Sequence, residues 1–205
     1  MVWPSLVRIV AIVLLTIGVA YRTVAQRTVI YRSYDAFRSG NGEESGTYKD
    51  IRKKGGVYEL RLQRDGHTHE VKCTEIWGLT VNDVLFRIHP VDGVPVRLMA
   101  QGAVCYYENG FAHLRMQRTG SELEPSGPGS RSYLGRTLDG EVVPAVFKDD
   151  DGPSARFRSG NPQLEPLFHC IGEHDDLNNT RQCVVDFEAM LEGDGHLRAG
   201  AVNRQ

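Results

Sequence analysis

The chain lacks every short motif that would announce a reaction: its 205 residues contain no G-x-S-x-G elbow, no H-E-x-x-H pair and no glycine-rich phosphate loop. Serine-hydrolase, zinc-protease and nucleotide-binding readings lose their local signature, and no cofactor is implied. A basic stripe is missing as well. Lys and Arg number 24 against 26 Asp and Glu, a balance unsuited to gripping phosphate backbones, so no nucleic-acid partner is expected. Long apolar runs are scarce. The main one, Ile9 to Tyr21, has 13 residues, short of the ~20 that cross a ~30 Å hydrocarbon core.

That run has the flanks of a secretory leader. Arg8 precedes it, and Arg22-Thr23-Val24-Ala25 follows, with small residues at Thr23 and Ala25 placed for a signal peptidase. Residues 1–25 are expected to be removed between Ala25 and Gln26. The competing reading is an uncleaved anchor, which would be the protein's only membrane contact. Removing Arg8 and Arg22 leaves 22 basic against 26 acidic residues, a net charge of −4. The expected location is the periplasm or the extracellular space. There the four cysteines, Cys73, Cys105, Cys170 and Cys183, read first as two disulfides.

Strand patterning dominates residues 57–118. Tyr58, Leu60 and Leu62 alternate with Glu59, Arg61 and Gln63, the period of a half-buried strand. Further runs cover Glu75–Val81, Val84–Ile88, Val94–Ala100, Ala103–Glu108 and Phe111–Met116. Asp65-Gly66, Asn82-Asp83, Asp92-Gly93 and Asn109-Gly110 punctuate them as turns. Upstream, Ser33 is placed to cap a helical turn over Tyr34–Arg38, and the polar stretch Asn41–Gly46 reads as a surface loop. Downstream, residues 119–162 are loop-rich, with one more strand at Val142-Val143.

A helical pair is expected over residues 163–192. Gln163–Ile171 would stop at Gly172; a second helix, capped by Asp175 or Asp176, would stop at Gly193, leaving 193–205 frayed. On that second helix Leu177, Thr180, Cys183, Val184, Phe187, Met190 and Leu191 share a face, with Arg181, Asp186 and Glu188 turned away. The fold class is α+β, mainly antiparallel β: a meander sheet closed as a small barrel or sandwich, then the helical pair, all one domain over 26–205. Cys170 and Cys183 would bridge the two helices, which leaves Cys73 for Cys105.

Metal sites are weak by spacing. His67 and His69 share a strand face but lack a third ligand; His169, Cys170, His174 and Cys183 match no zinc finger, and Asp149–Asp151 lacks the alternation of a calcium loop. Trp77, Phe86 and His89 are the candidate binding face, weighed against ordinary core packing. Three segments, Tyr31-Arg32-Ser33-Tyr34-Asp35-Ala36-Phe37, Glu75-Ile76-Trp77-Gly78 and Cys105-Tyr106-Tyr107-Glu108-Asn109-Gly110, resemble uncharacterised exported proteins of Gram-negative bacteria. The resemblance covers most of the mature chain. It implies export and a shared fold, and it transfers no activity.

Three functions stay open at this point. The first is a non-enzymatic envelope protein that binds or scaffolds through one face of its β domain. The second is a hydrolase-like periplasmic enzyme with dispersed His and Asp residues, which a pocket lined by His and a carboxylate would favour. The third is a β-barrel carrier of an apolar ligand, which needs a closed, hollow barrel.

Overall fold

The computed structural model describes residues 27–119, 131–146, 152–173 and 176–202. The leader with its Ala25–Gln26 junction, the acidic run at 149–151 and His174 lie outside the described residues. Ten strands form one antiparallel sheet: β1 (Thr28–Tyr31), β2 (Glu43–Lys54), β3 (Val57–Arg64), β4 (His67–Lys72), β5 (Gly78–Val81), β6 (Val84–Ile88), β7 (Pro95–Gln101), β8 (Cys105–Asn109), β9 (Ser132–Gly135) and β10 (Val142–Pro144). Their spatial order is β10-β9-β8-β7-β6-β5-β1-β2-β3-β4. Two meanders thus flank β1. The sheet does not close into a barrel: among the described residues β4 and β10 end it without pairing to each other.

Turn chemistry sets several of these hairpins. Asp65 and Gly66 lie at φ 51° and 79°, Asn82 and Asp83 at 51° and 64°, and each pair joins strands in register, Arg64 to His67 and Val81 to Val84. Two left-handed residues match the strand twist, which selects Asp, Asn and Gly there. Pro144 sits in β10, an edge strand, where its missing N–H costs nothing.

Alternation gives the sheet two apolar faces. The inner face carries Ile30, Leu60, Leu62, Leu79, Val81, Phe86 and Ile88 under helix α2 (Gly110–Thr119), whose Leu114 is fully buried among them. Farther along, Tyr106, Leu134 and Val143 meet Phe157 of α3 (Pro153–Gly160), Leu167 and Phe168 of α4 (Glu165–Glu173) and Val184 and Phe187 of α5 (Leu177–Val202). The outer face carries Leu85, Val96, Cys105, Tyr107, Tyr133 and Val142. It is covered by Tyr34 and Phe37 of α1 (Tyr34–Arg38) and by Leu138.

Several expectations need correction. The stretch Phe111–Met116 is helical, so Asn109-Gly110 is no hairpin. The Asn109 side chain accepts from the Phe111 amide at 3.0 Å and starts α2. Gly110 is needed for room, since a Cβ there would lie 2.5 Å from the Pro95 carbonyl oxygen. The supposed surface loop at 41–46 opens the 12-residue strand β2. Its Ser45 and Tyr48 are buried three positions apart, and the pairing with β1 shifts between Glu44 and Gly46; a bulge of this kind erases two-residue alternation. Gly193 stops nothing, as it lies within α5, which runs on to Val202, whereas α4 ends at Glu173, one residue past Gly172. The caps did form as expected: Ser33 accepts from Ala36 and Asp176 from Asn179.

Candidate functional site

Two polar constellations interrupt the apolar core, one on each face. On the inner face β8 carries Tyr106 and Glu108, β7 carries Arg97, α2 carries His113 and α5 carries Arg181. Glu108 is 1% exposed and His113 2%. The Glu108 carboxylate accepts from Tyr106 Oη at 2.9 Å and from Arg181 Nε and Nη2 at 2.5 and 2.9 Å. His113 Nε2 lies 3.0 Å from Glu108 Oε2, and Arg97 Nη1 lies 2.8 Å from His113 Nδ1.

A guanidinium only donates, so Nδ1 is the accepting nitrogen and Nε2–H donates to Glu108. Burial pushes the Glu108 carboxyl up, but the bonds from Arg181, then His113 and Tyr106, outweigh it and hold it at about 2. The result is a sealed, ionised clasp between sheet and helices. A group with its lone pairs engaged in this way is poorly placed to take a proton from a substrate.

The outer face is different. Four half-buried rings touch in series around α1: Tyr31 meets Phe37 edge-on at 5.2 Å, Phe37 stacks on Trp77 at 5.1 Å, and Tyr34 lies 5.5 Å from Trp77. Beside this ledge the Arg87 guanidinium sits 5.3 Å from the Trp77 ring centre, a cation–π distance. Arg87 is 6% exposed. It donates from Nη1 to the Gly140 carbonyl at 2.7 Å and from Nη2 to that of Asp139 at 3.5 Å.

Arg87 also acts electrostatically on Tyr107 and Cys105, next to one another on the same face of β8. Burial pushes both the Tyr107 hydroxyl and the Cys105 thiol up. Among the described residues, Arg87 Nε and Trp77 Nε1 in this cluster find no hydrogen-bond partner, while the Tyr107 hydroxyl bears on the Arg87 and Cys105 side chains.

The expected binding face of Trp77, Phe86 and His89 does not assemble. Phe86 is fully buried on the inner face, opposite to Trp77. His89 is a buried strut: Nδ1 accepts from the Asp92 amide at 3.2 Å and Nε2–H donates to the Val142 carbonyl at 3.1 Å. Burial lowers its imidazole, against the pull of Asp92 and of that carbonyl. Of the three, Trp77 alone belongs to the ledge. Sequence reasoning missed Arg87, Tyr107, Glu108 and Arg181; the available signal was a charged residue inside each of two buried runs, Leu85–Ile88 and Val104–Glu108.

The Cys170–Cys183 bridge forms, with Cα atoms 5.8 Å apart. The second pairing does not. Cys73 and Cys105 are both free and buried, on opposite faces of the sheet. His67 and His69 lie on β4, and among the described residues no three His, Cys, Asp or Glu gather as a metal site. Glu188, expected to point away, instead accepts from the Ala103 amide at 2.8 Å. Comparison with protein-family models, curated proteins and solved structures finds no match to this chain.

Proposed function

We propose that this chain is an exported, non-enzymatic binding protein of the cell envelope that engages its partner through the outer face of the sheet around Trp77. The observation that carries the reading is the ledge of four contiguous, half-buried rings with a guanidinium at its side. Aromatic rings with a polar handle give large contact area at little entropic cost, the usual chemistry of a binding surface. The leader-like residues 1–25 and the Cys170–Cys183 bridge support an oxidising, exported setting. The resemblance to exported Gram-negative proteins agrees with it.

The enzyme reading is less well supported. The His–carboxylate pair that would serve it, His113 and Glu108, is closed in the core and engaged on both sides. The open sheet removes the geometry that a barrel carrier requires.

The test has two arms. Protein recovered from the periplasm or medium should begin at Gln26, as read by N-terminal sequencing. That mature protein should co-sediment with isolated envelope, and Trp77→Ala should release it while keeping the far-UV spectrum. Retention of Trp77→Ala equal to that of the parent would sink the assignment to this face.

A further inference from the structure

The two edges of the sheet differ. At one, β10 spans three residues. Its Pro144 carbonyl accepts from Ser154 Oγ at 2.7 Å, and α3 packs against the strand. A proline and a covering helix are ordinary protections for an edge. At the other, β4 carries no proline and pairs with β3 in unbroken register from His67 to Lys72. Among the described residues no strand pairs with its far side.

The hairpin fixes which groups stand at that open side. Asp65 and Gly66 are both left-handed, so Arg64 and His67 form the hydrogen-bonded pair that closes the turn. Counting by twos, His69 and Val71 also bond to β3, and the exposed residues Thr68, Glu70 and Lys72 turn their N–H and C=O groups outward. Side chains alternate as well. Val71 packs against the inner cluster and shares that face with His67 and His69, while Glu70 reaches Arg61 on the other face at 3.6 Å.

We propose that two copies of this chain pair through β4, antiparallel about a two-fold axis at His69. A two-fold contact sets the same strand against itself, and only registers that oppose outward-turned residues make ladder bonds. Two of these overlap most of the strand, one centred on His69 and one on Glu70. Centring on Glu70 opposes two carboxylates, which is destabilising. Centring on His69 sets Thr68 against Glu70 of the second copy, hydroxyl beside carboxylate, and His67 against its Val71. Thr68 and Glu70 then exchange both backbone bonds with their opposites, and His69 meets its own copy at a pair without such bonds. Charge thus selects one register. The contact does not depend on the ledge around Trp77.

Analytical ultracentrifugation of the purified protein at about pH 8, where imidazole is neutral, should show a monomer–dimer equilibrium. The contact is narrow, so a Kd of about 1–100 µM is expected. Glu70→Pro removes an outward N–H and no bond to β3. It should keep the far-UV spectrum and weaken the dimer at least about tenfold.

His69→Cys reads the register directly. Opposed residues at a pair without backbone bonds have Cα atoms about 4.5 Å apart, within disulfide reach. Mild oxidation should link His69→Cys into a covalent dimer and leave Glu70→Cys unlinked. A protein that stays monomeric to about 500 µM, a dimer that survives Glu70→Pro, or a link through residue 70 in preference to residue 69 would each overturn the proposal.

Discussion

Arg181 on α5 and Glu108 on β8, 73 positions apart in sequence, close a two-pronged ion pair at 2.5 and 2.9 Å that ties the C-terminal helix to the sheet. Tyr106, His113 and, through it, Arg97 complete the clasp. Replacing Arg181 by Met leaves a buried carboxylate with two neutral donors and no cation. The expected loss is about 3–5 kcal/mol, read as a drop in denaturant midpoint. The variant should also lose the low carboxyl pKa, which direct titration of Glu108 would report.

The same group sets an acid limit on stability. Its folded carboxyl, at about 2, lies below its ordinary value of 4.5. A depressed carboxyl contributes stability that is fully present above the unfolded value and lost as pH falls toward the folded one. Between pH 5 and 2 the parent should lose roughly 3 kcal/mol through Glu108, and Glu108→Gln should show a flatter profile over that window. Parallel profiles for the two proteins would assign the acid sensitivity elsewhere.

Short-range signals were readable where one residue decides the backbone. Asp65-Gly66 and Asn82-Asp83 require left-handed pairs, Ser33 caps its own helical turn, and the short run Val84–Ile88 between two turns forms β6. Signals failed where a distant atom decides. The Asn109-Gly110 pair looks like a hairpin, yet Pro95, 15 positions upstream, sets what can occupy residue 110. Strand β2 hides behind its bulge. Arg181 reads as a solvated helix position until β8 supplies Glu108. Trp77 was singled out, but its true neighbours come from α1 and β6.

Gly110→Ala follows from that crowding. The added methyl would meet the Pro95 carbonyl oxygen at 2.5 Å and a Phe86 ring carbon at 3.0 Å. The carbonyl belongs to backbone, so it cannot swing aside. A loss of about 1–3 kcal/mol is expected, of overpacking origin, measured by chemical denaturation. An unchanged midpoint would mean that β7 and the start of α2 separate more easily than the packing implies.

The Cys170–Cys183 bridge joins α4 to α5, its two cysteines 13 positions apart in sequence. In the chain-entropy account a loop of about this length contributes roughly 3 kcal/mol. The Cys170→Ala, Cys183→Ala double variant should show that loss. Addition of reductant to the parent should reproduce it, while leaving the double variant unmoved.

Cys73 and Cys105 make the sharpest contrast with that bridge. They remain thiols because the sheet stands between them: Cys73 packs with the inner cluster and Cys105 with the outer one. Burial, then the Glu59 charge, pushes the Cys73 thiol up to about 12, and burial likewise raises Cys105 against the pull of Tyr107 and Arg87. The thiolate is the reactive species, so both groups are protected by shielding and by protonation. Unreduced protein should show two thiols in guanidinium and almost none in native buffer at pH 8. Alkylation should label the pair only as fast as the protein unfolds, in step with the two-state transition. A linked 73–105 peptide after digestion without reductant would show instead that the chain can bring both faces together, and would overturn the arrangement of the two clusters.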